Sequence, residues 1–268
     1  MTNTKDKTTK AVRSVLITGA SSGLGRALAL EYATNGVTLF LGGRDKDRLK
    51  ETRKACEEKG AKAYDHALDV LDQLGMQSWI KRSHEIAPLD LVIANAGISA
   101  GTAGDMGETQ RQAQQIFAVN VYGVNNTLYP ALPLMNERGK GQMAIVSSMA
   151  GFYGFPGAPA YCASKAAVRV MGEAWRADHR ANNIRVNVIC PGYIKTNMTD
   201  ANGFPMPFMW TAEKAAKHIR KNLARNKARI SFPWGLRFAL WMLTNLPASL
   251  VDWMLSKSPG KPAMDFDD

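Results

Sequence analysis

Short apolar runs alternate along the chain with longer stretches in which apolar residues recur every three or four positions. The run at 14–18, Ser-Val-Leu-Ile-Thr, is β-branched and apolar enough to predict a strand buried on both faces, and a helical pattern follows at 24–35. A second strand is predicted at 37–41, then a helix at 45–59 stopped by Gly60. A weaker strand at 61–68, a helix near 71–87 and a strand at 89–94 come next. The pattern then predicts one long helix at about 108–137, a strand at 143–146, a helix at 161–181 and a strand at 184–189. A basic helix at 211–226 and a short strand at 228–232 close the repeating part.

Strands that read as continuous apolar runs, each followed by a helix, imply an α/β fold: a doubly wound parallel sheet with helices on both faces, Rossmann-like. The 268 residues fit one large domain, and no linker-like stretch divides them. We expect a single domain at 12–232, a disordered polar arm at 1–11, and an apolar helical appendage with a tail at 233–268. Open sheets of this kind bind ligands beyond the carboxyl ends of their strands, so functional residues are expected just after strands.

The first such position reads Thr18-Gly19-Ala20-Ser21-Ser22-Gly23-Leu24-Gly25. Glycines there permit a tight turn and let the backbone approach a pyrophosphate at the helix N-terminus. The spacing is not GxGxxG, and without a Lys after the last glycine it is not the phosphate loop of an NTPase either. TGxxxGxG after the first strand resembles the short-chain dehydrogenase/reductase family, and further motifs follow in order. Asn95-Ala96-Gly97 after the fourth strand resembles the family's NNAG, with Ala94 in place of the first Asn. Asn120 falls where the family has a catalytic-site Asn on its long helix. Ser147-Ser148 follows the fifth strand, and Tyr161, thirteen residues after Ser148, begins YxxxK with Lys165. Pro191-Gly192 and Thr196 match PG-x-x-x-T. The resemblance spans about residues 12–200 and favours the family's compact single-domain branch.

The resemblance implies an NAD(P)-dependent oxidoreductase acting on CH–OH donors. Its cofactor would rest on Gly19, Ser21, Ser22, Gly23, Leu24 and Gly25, with Asp69 and Val70 at the adenine edge. Asn95, Ala96, Gly97, Tyr161, Lys165, Pro191, Gly192, Ile194 and Thr196 would line the rest. An NAD site ordinarily has an acid at the end of the second strand; here that position is Gly43, and Arg44 follows with a guanidinium suited to a 2′-phosphate. Asp45 reads better as the cap of the next helix than as a ribose ligand. NADP is therefore expected in preference to NAD.

Moving a hydride to or from carbon requires a proton to move on oxygen. Tyrosine, with a pKa near about 10, is a weak base at neutral pH, and a cation beside it favours the phenolate. Lys165, one helical turn after Tyr161, can supply that charge. The family's roles then assign Tyr161 as general acid/base and Ser148 to hold the substrate oxygen. Asn120 would support Lys165, with water in a proton relay. The expected conversion is between an apolar secondary alcohol and its ketone, or an aldehyde and its alcohol; the alternative is a silent nucleotide-binding sensor or scaffold.

The formal charge of +11 bears on partners. From 211 to 257 there are nine Lys/Arg against Glu213 and Asp252, so most of the excess is local. The basic helix carries no nucleic-acid motif, and no nucleic-acid partner is expected. The four histidines lie apart without metal spacing, and the three cysteines form no metal pair or disulfide frame. The stretch 197–210, rich in Phe, Met and Trp, reads as a loop over an apolar or lipid-like substrate, or equally as packing. The two apolar runs within 233–256 are too short to span a bilayer. They suggest either a monotopic anchor on acidic head groups or a cap on the cleft or on a neighbouring subunit. A homodimer or homotetramer through the 108–137 and 161–181 helices is implied by the resemblance. A polar N-terminus without an apolar leader pattern points to the cytoplasm, with any membrane association on the cytoplasmic face.

Overall fold

The computed structural model describes residues 12–100, 108–200 and 205–256; the arm expected at 1–11 and the tail beyond 256 lie outside these. Seven strands form one parallel sheet in the order β3-β2-β1-β4-β5-β6-β9. The first half is β1 (Ser14–Thr18), α1 (Gly23–Tyr32), β2 (Thr38–Gly43), α2 (Lys46–Glu58), β3 (Lys62–Ala67), α3 (Gln73–Ile86) and β4 (Leu91–Ala94). β2 pairs on one side of β1 and β4 on the other, so the chain reverses its direction of travel across the sheet at β1. That switch point opens a crevice above the carboxyl ends of the strands.

Alternation along each strand sends consecutive residues to opposite faces. Val15 and Ile17 join Leu39 and Leu41 in a core layer under α1, α2 and the later helix α9. Leu16 and Phe40 join Ile80, Val92, Leu128, Ile145 and Val168 in the layer on the other face. All of these side chains are 1% exposed or less, and each contributes about 1.5–3 kcal/mol through burial.

The stretch predicted as one helix from 108 to 137 is in fact interrupted. It comprises α4 (Gln110–Phe117), a π turn at Ala118–Tyr122, α5 (Gly123–Leu128) and α6 (Ala131–Glu137). In the π turn the Gly123 N–H donates to the Ala118 carbonyl five residues back. Pro130, which has no N–H to give, separates α5 from α6. The apolar period continues through both breaks, which is why the sequence pattern conceals them.

Beyond β5 (Gly141–Val146) come a 3-10 turn (Met149–Phe152), α7 (Pro159–Asp178), β6 (Ile184–Pro191), β7 (Ile194–Lys195) and α8 (Asn197–Asp200). β8 (Trp210–Thr211) pairs with β7 and leads into α9 (Ala212–Ala224) and β9 (Arg229–Phe232). Part of the loop expected over substrate, 201–204, lies outside the described residues. The apolar runs after β9 form α10 (Trp234–Thr244) and α11 (Ala248–Leu255). Leu240 and Val251 are buried, whereas most of the other large apolar side chains on these helices are exposed. Among the described residues, no helix is long and apolar enough to cross a membrane.

Candidate active site

The turn between β1 and α1 is built by close backbone approach. Gly19 adopts φ +66°, and a Cβ there would stand 2.9 Å from the Ala96 Cα. A Cβ on Gly25 would run into the Gly19 carbonyl oxygen. Asn95 secures the same turn: its Nδ2 donates to the carbonyls of Thr18 (3.0 Å) and Gly19 (3.2 Å). Thr18 Oγ1 in return accepts from the backbone N–H groups of Asn95 and Ala96 at 3.1 and 3.2 Å. Ser22 is the N-cap of α1, yet its side chain makes no capping bond, so the first N–H groups of the helix face the crevice without that partner. Uncapped N–H groups at a helix start attract an anion.

The crevice has a volume of about 690 Å³ and runs from this turn toward the end of β2 on one side and of β5 and β6 on the other. All the cofactor residues expected from the sequence border it. At the β2 end Arg44 is exposed on the wall. Asp45 caps α2 by accepting from the Arg48 N–H at 3.0 Å, and it also pairs with the Arg48 guanidinium. Those hydrogen bonds, backbone first, hold its carboxyl below the usual range. Arg48 itself borders the crevice, a second cation that the motif reading missed because it lies on a helix face rather than after a strand. Asp69 accepts from the Leu71 N–H at 2.9 Å, and Val70 is buried, its carbonyl taken by Asn126.

The two serines after β5 divide cleanly. Ser147 is buried and its hydroxyl donates to the Lys165 carbonyl at 2.7 Å, tying the strand end to α7. Ser148 lines the crevice, accepts from the Ala150 N–H at 3.1 Å and shares a hydrogen bond with the Tyr161 phenol. Lys165 Nζ donates to the Val146 carbonyl at 3.1 Å and lies 5.8 Å from the centroid of the Tyr161 ring. Burial dominates the titration of both groups. It raises the Tyr161 phenol, against the opposing effect of Ser148, and lowers the Lys165 ammonium to about 8. The sequence argument expected the lysine to lower the phenol; instead burial raises it, and the opposing effect comes from the Ser148 hydrogen bond.

Asn120 sits behind the crevice instead of on its wall, fully buried in the π turn. Its Oδ1 accepts from the Ile98 N–H (2.8 Å), and its Nδ2 donates to the Ile98 carbonyl (2.9 Å) and to Ser164 Oγ (3.1 Å). Asn120 and Lys165 meet the crevice at Gly97, where a Cβ would come within 3.0 Å of Asn120 Oδ1 and 3.1 Å of Lys165 Nζ. The missing side chain leaves a space that both polar groups face.

At the far end, the Gly192 N–H donates to the Phe232 carbonyl at 2.7 Å, and a Cβ on Gly192 would meet Leu236 of α10 at 2.8 Å. Thr196 N–H donates to Thr199 Oγ1 (2.9 Å), whose own proton goes to the Ile194 carbonyl at 2.7 Å. Thr199 and Leu236 were not expected from the sequence, since neither lies in a motif. The glycine-cradled turn, the uncapped helix start and the long crevice fit a dinucleotide.

The pattern of the family described as short chain dehydrogenase matches residues 13–204. An uncharacterized oxidoreductase of Myxococcus xanthus is 39% identical over 241 residues, covering 90% of this chain and 95% of that protein. A 3-oxoacyl-[acyl-carrier-protein] reductase of Thermotoga maritima is 34% identical over 69% of this chain and 75% of its own length. Among solved structures, a 3-ketoacyl-ACP reductase from Sinorhizobium meliloti is 30% identical, with a TM-score of 0.75 over 84% of this chain and 99% of that one. Similar in sequence over most of its length and superimposable in fold, the chain belongs to the short-chain dehydrogenase/reductase family and is an NAD(P)-dependent oxidoreductase.

Proposed function

We propose that the protein is an NADP(H)-preferring reductase or dehydrogenase interconverting an apolar secondary alcohol and its ketone, or an aldehyde and its alcohol, with Tyr161 as general acid/base. The observation that carries this is the meeting of Ser148, Tyr161 and Lys165 on one wall of the crevice. The nicotinamide cofactor supplies or accepts the hydride. Ser148 holds the substrate oxygen, and Tyr161 gives that oxygen a proton during reduction and takes one back during oxidation. Lys165, buried beside the ring, limits the cost of the phenolate. Asn120 keeps Ile98 and Ser164 in register behind Lys165, and the space at Gly97 suits a water that would relay a proton between them.

The preference for NADP rests on Arg44 just after β2 and Arg48 on α2, with the carboxylate between them, Asp45, already committed to capping. Ser21 to Gly25 would hold the pyrophosphate, Asp69 and Val70 the adenine edge, and Ile194 and Thr196 the carboxamide. Residues 12–232 act as the catalytic unit, with Met198, Phe208 and Met209 forming the apolar side for substrate. The acyl substrates named for two of the relatives agree with an apolar body. Exposed Phe117, Tyr122, Tyr129 and Val170 on the helices at 110–137 and on α7 suit a homodimer or homotetramer. The protein would work on the cytoplasmic side, touching membrane through 233–256.

Titration with NADPH and NADH, followed by a panel of ketones and aldehydes, tests the reading. Tighter NADPH binding with oxidation by an apolar carbonyl is the expected result. NADPH binding without turnover of any carbonyl would instead favour a nucleotide-binding sensor.

A further inference from the structure

The surface of α10 and α11 serves none of the roles assigned to the crevice. Trp234, Phe238 and Trp241, at positions i, i+4 and i+7, form one stripe on α10. Their rings stack in sequence, with centroids 5.8 and 5.9 Å apart. They are 76%, 48% and 62% exposed, and Trp253 on α11 is 63% exposed. The other three tryptophans, Trp79, Trp175 and Trp210, are buried or half-buried, so exposure of indole is confined to this appendage. Arg237 lies among Trp234, Phe238 and Trp241 in a shallow surface depression. Its exposed guanidinium has no hydrogen-bond or ion-pair partner among the described residues. The one acid on the two helices is Asp252.

We infer that α10 and α11 dock the enzyme on an anionic membrane surface, with the Trp234/Phe238/Trp241 stripe in the acyl boundary and Arg237 on a lipid phosphate. The chemistry selects this occupant in three ways. Indole and phenyl rings beside a cation match the boundary between head groups and acyl chains. Helices of 11 and 8 residues rise about 16 and 12 Å, far short of the roughly 30 Å hydrocarbon core, so they can lie on a bilayer and not span it. An acidic surface would supply Arg237 with the partner that it lacks among the described residues.

The same surface reaches the cleft. Phe208, 62% exposed, packs its ring over Gly235, and Leu236 lies against Gly192 in the crevice wall. An apolar substrate could then pass from the acyl layer past Phe208 to Ser148 and Tyr161, a step that rests on the apolar substrate proposed above.

The test is co-sedimentation of the full chain with phosphatidylcholine vesicles, with and without phosphatidylserine, at low and high salt. We expect pelleting with the acidic vesicles that weakens with salt. Arg237→Glu should bind at least about tenfold less tightly, since each basic residue near such a surface contributes about 1 kcal/mol and the change reverses a charge. The Trp234→Ser/Phe238→Ser/Trp241→Ser variant should bind less tightly still, and both should reduce a water-soluble carbonyl at the wild-type rate. Absence of pelleting, or equal binding of wild type and variants, would overturn the inference. So would sedimentation velocity showing that the triple variant turns an oligomer into monomers, for then the stripe is a subunit contact. Vesicle binding without turnover would leave the docking intact and refute the catalytic reading instead.

Discussion

Replacing Tyr161 by Phe removes one hydroxyl and little else. The aromatic ring stays, so the contact with Lys165 Nζ, 5.8 Å from the ring centroid, persists. The lost partner is Ser148, which still accepts from the Ala150 N–H at 3.1 Å. Loss of one such hydrogen bond costs about 0.5–1.5 kcal/mol, small beside a total stability of about 5–15 kcal/mol, so the variant folds. The glycine turn, Arg44 and the adenine wall are untouched, and NADPH affinity should stay within about twofold, under roughly 0.5 kcal/mol. The rate should not survive. A positioned general acid contributes about 10²–10⁴-fold, or about 2.7–5.4 kcal/mol in the barrier. Burial holds the Tyr161 phenol protonated in the free enzyme, so the loss should be plain for carbonyl reduction at neutral pH. NADPH binding by fluorescence and NADPH oxidation by absorbance separate the two effects. A variant that binds NADPH and still reduces substrate at near the wild-type rate would refute the assignment of Tyr161.

The two neighbouring serines should separate in opposite ways. Ser148→Ala should lower turnover by at least about tenfold with little change in Tm, whereas Ser147→Ala should lose about 1 kcal/mol of stability through its buried bond to the Lys165 carbonyl and keep most activity. Paired melts and assays decide, and the reverse pattern would exchange their roles. Lys165 titrates near 8 in the folded protein against its usual 10.5, so between those values the unfolded chain holds a proton that the folded chain has released. Stability conferred at this site is present above the upper value and is lost as pH falls through the lower. The wild-type Tm should therefore rise relative to Lys165→Met across that window, and a flat difference would contradict the burial. Arg44→Ala should weaken NADPH by about tenfold and leave NADH unchanged, a charge-assisted contact being worth about 1.5–3 kcal/mol; equal loss for both cofactors would remove the 2′-phosphate role.

The residues of the crevice could be read from sequence because they sit where backbone geometry demands them. Gly19 needs a positive φ and Gly25 leaves no room for a Cβ, so the turn after β1 survives as a local pattern. The four-residue interval of Tyr161 and Lys165 is likewise a property of one helix. Parallel strands, buried on both faces, announce themselves as apolar runs for the same local reason. Tertiary structure decided whatever depends on contacts between distant segments. The family's thirteen-residue interval to Tyr161 singled out Ser148 in the chain, but what Ser147 does, donating to Lys165's backbone, came only from the packing of α7. The π turn that withdraws Asn120 from the wall, and its clamp on Ile98, leave the apolar period unbroken and so leave no mark in the pattern. Arg48 faces the cofactor crevice, and Leu236 meets Gly192, because the sheet brings their elements together. The direction of the Tyr161 shift was decided there too: spacing supplies a nearby cation, but burial, a property of the folded whole, is what raises the phenol.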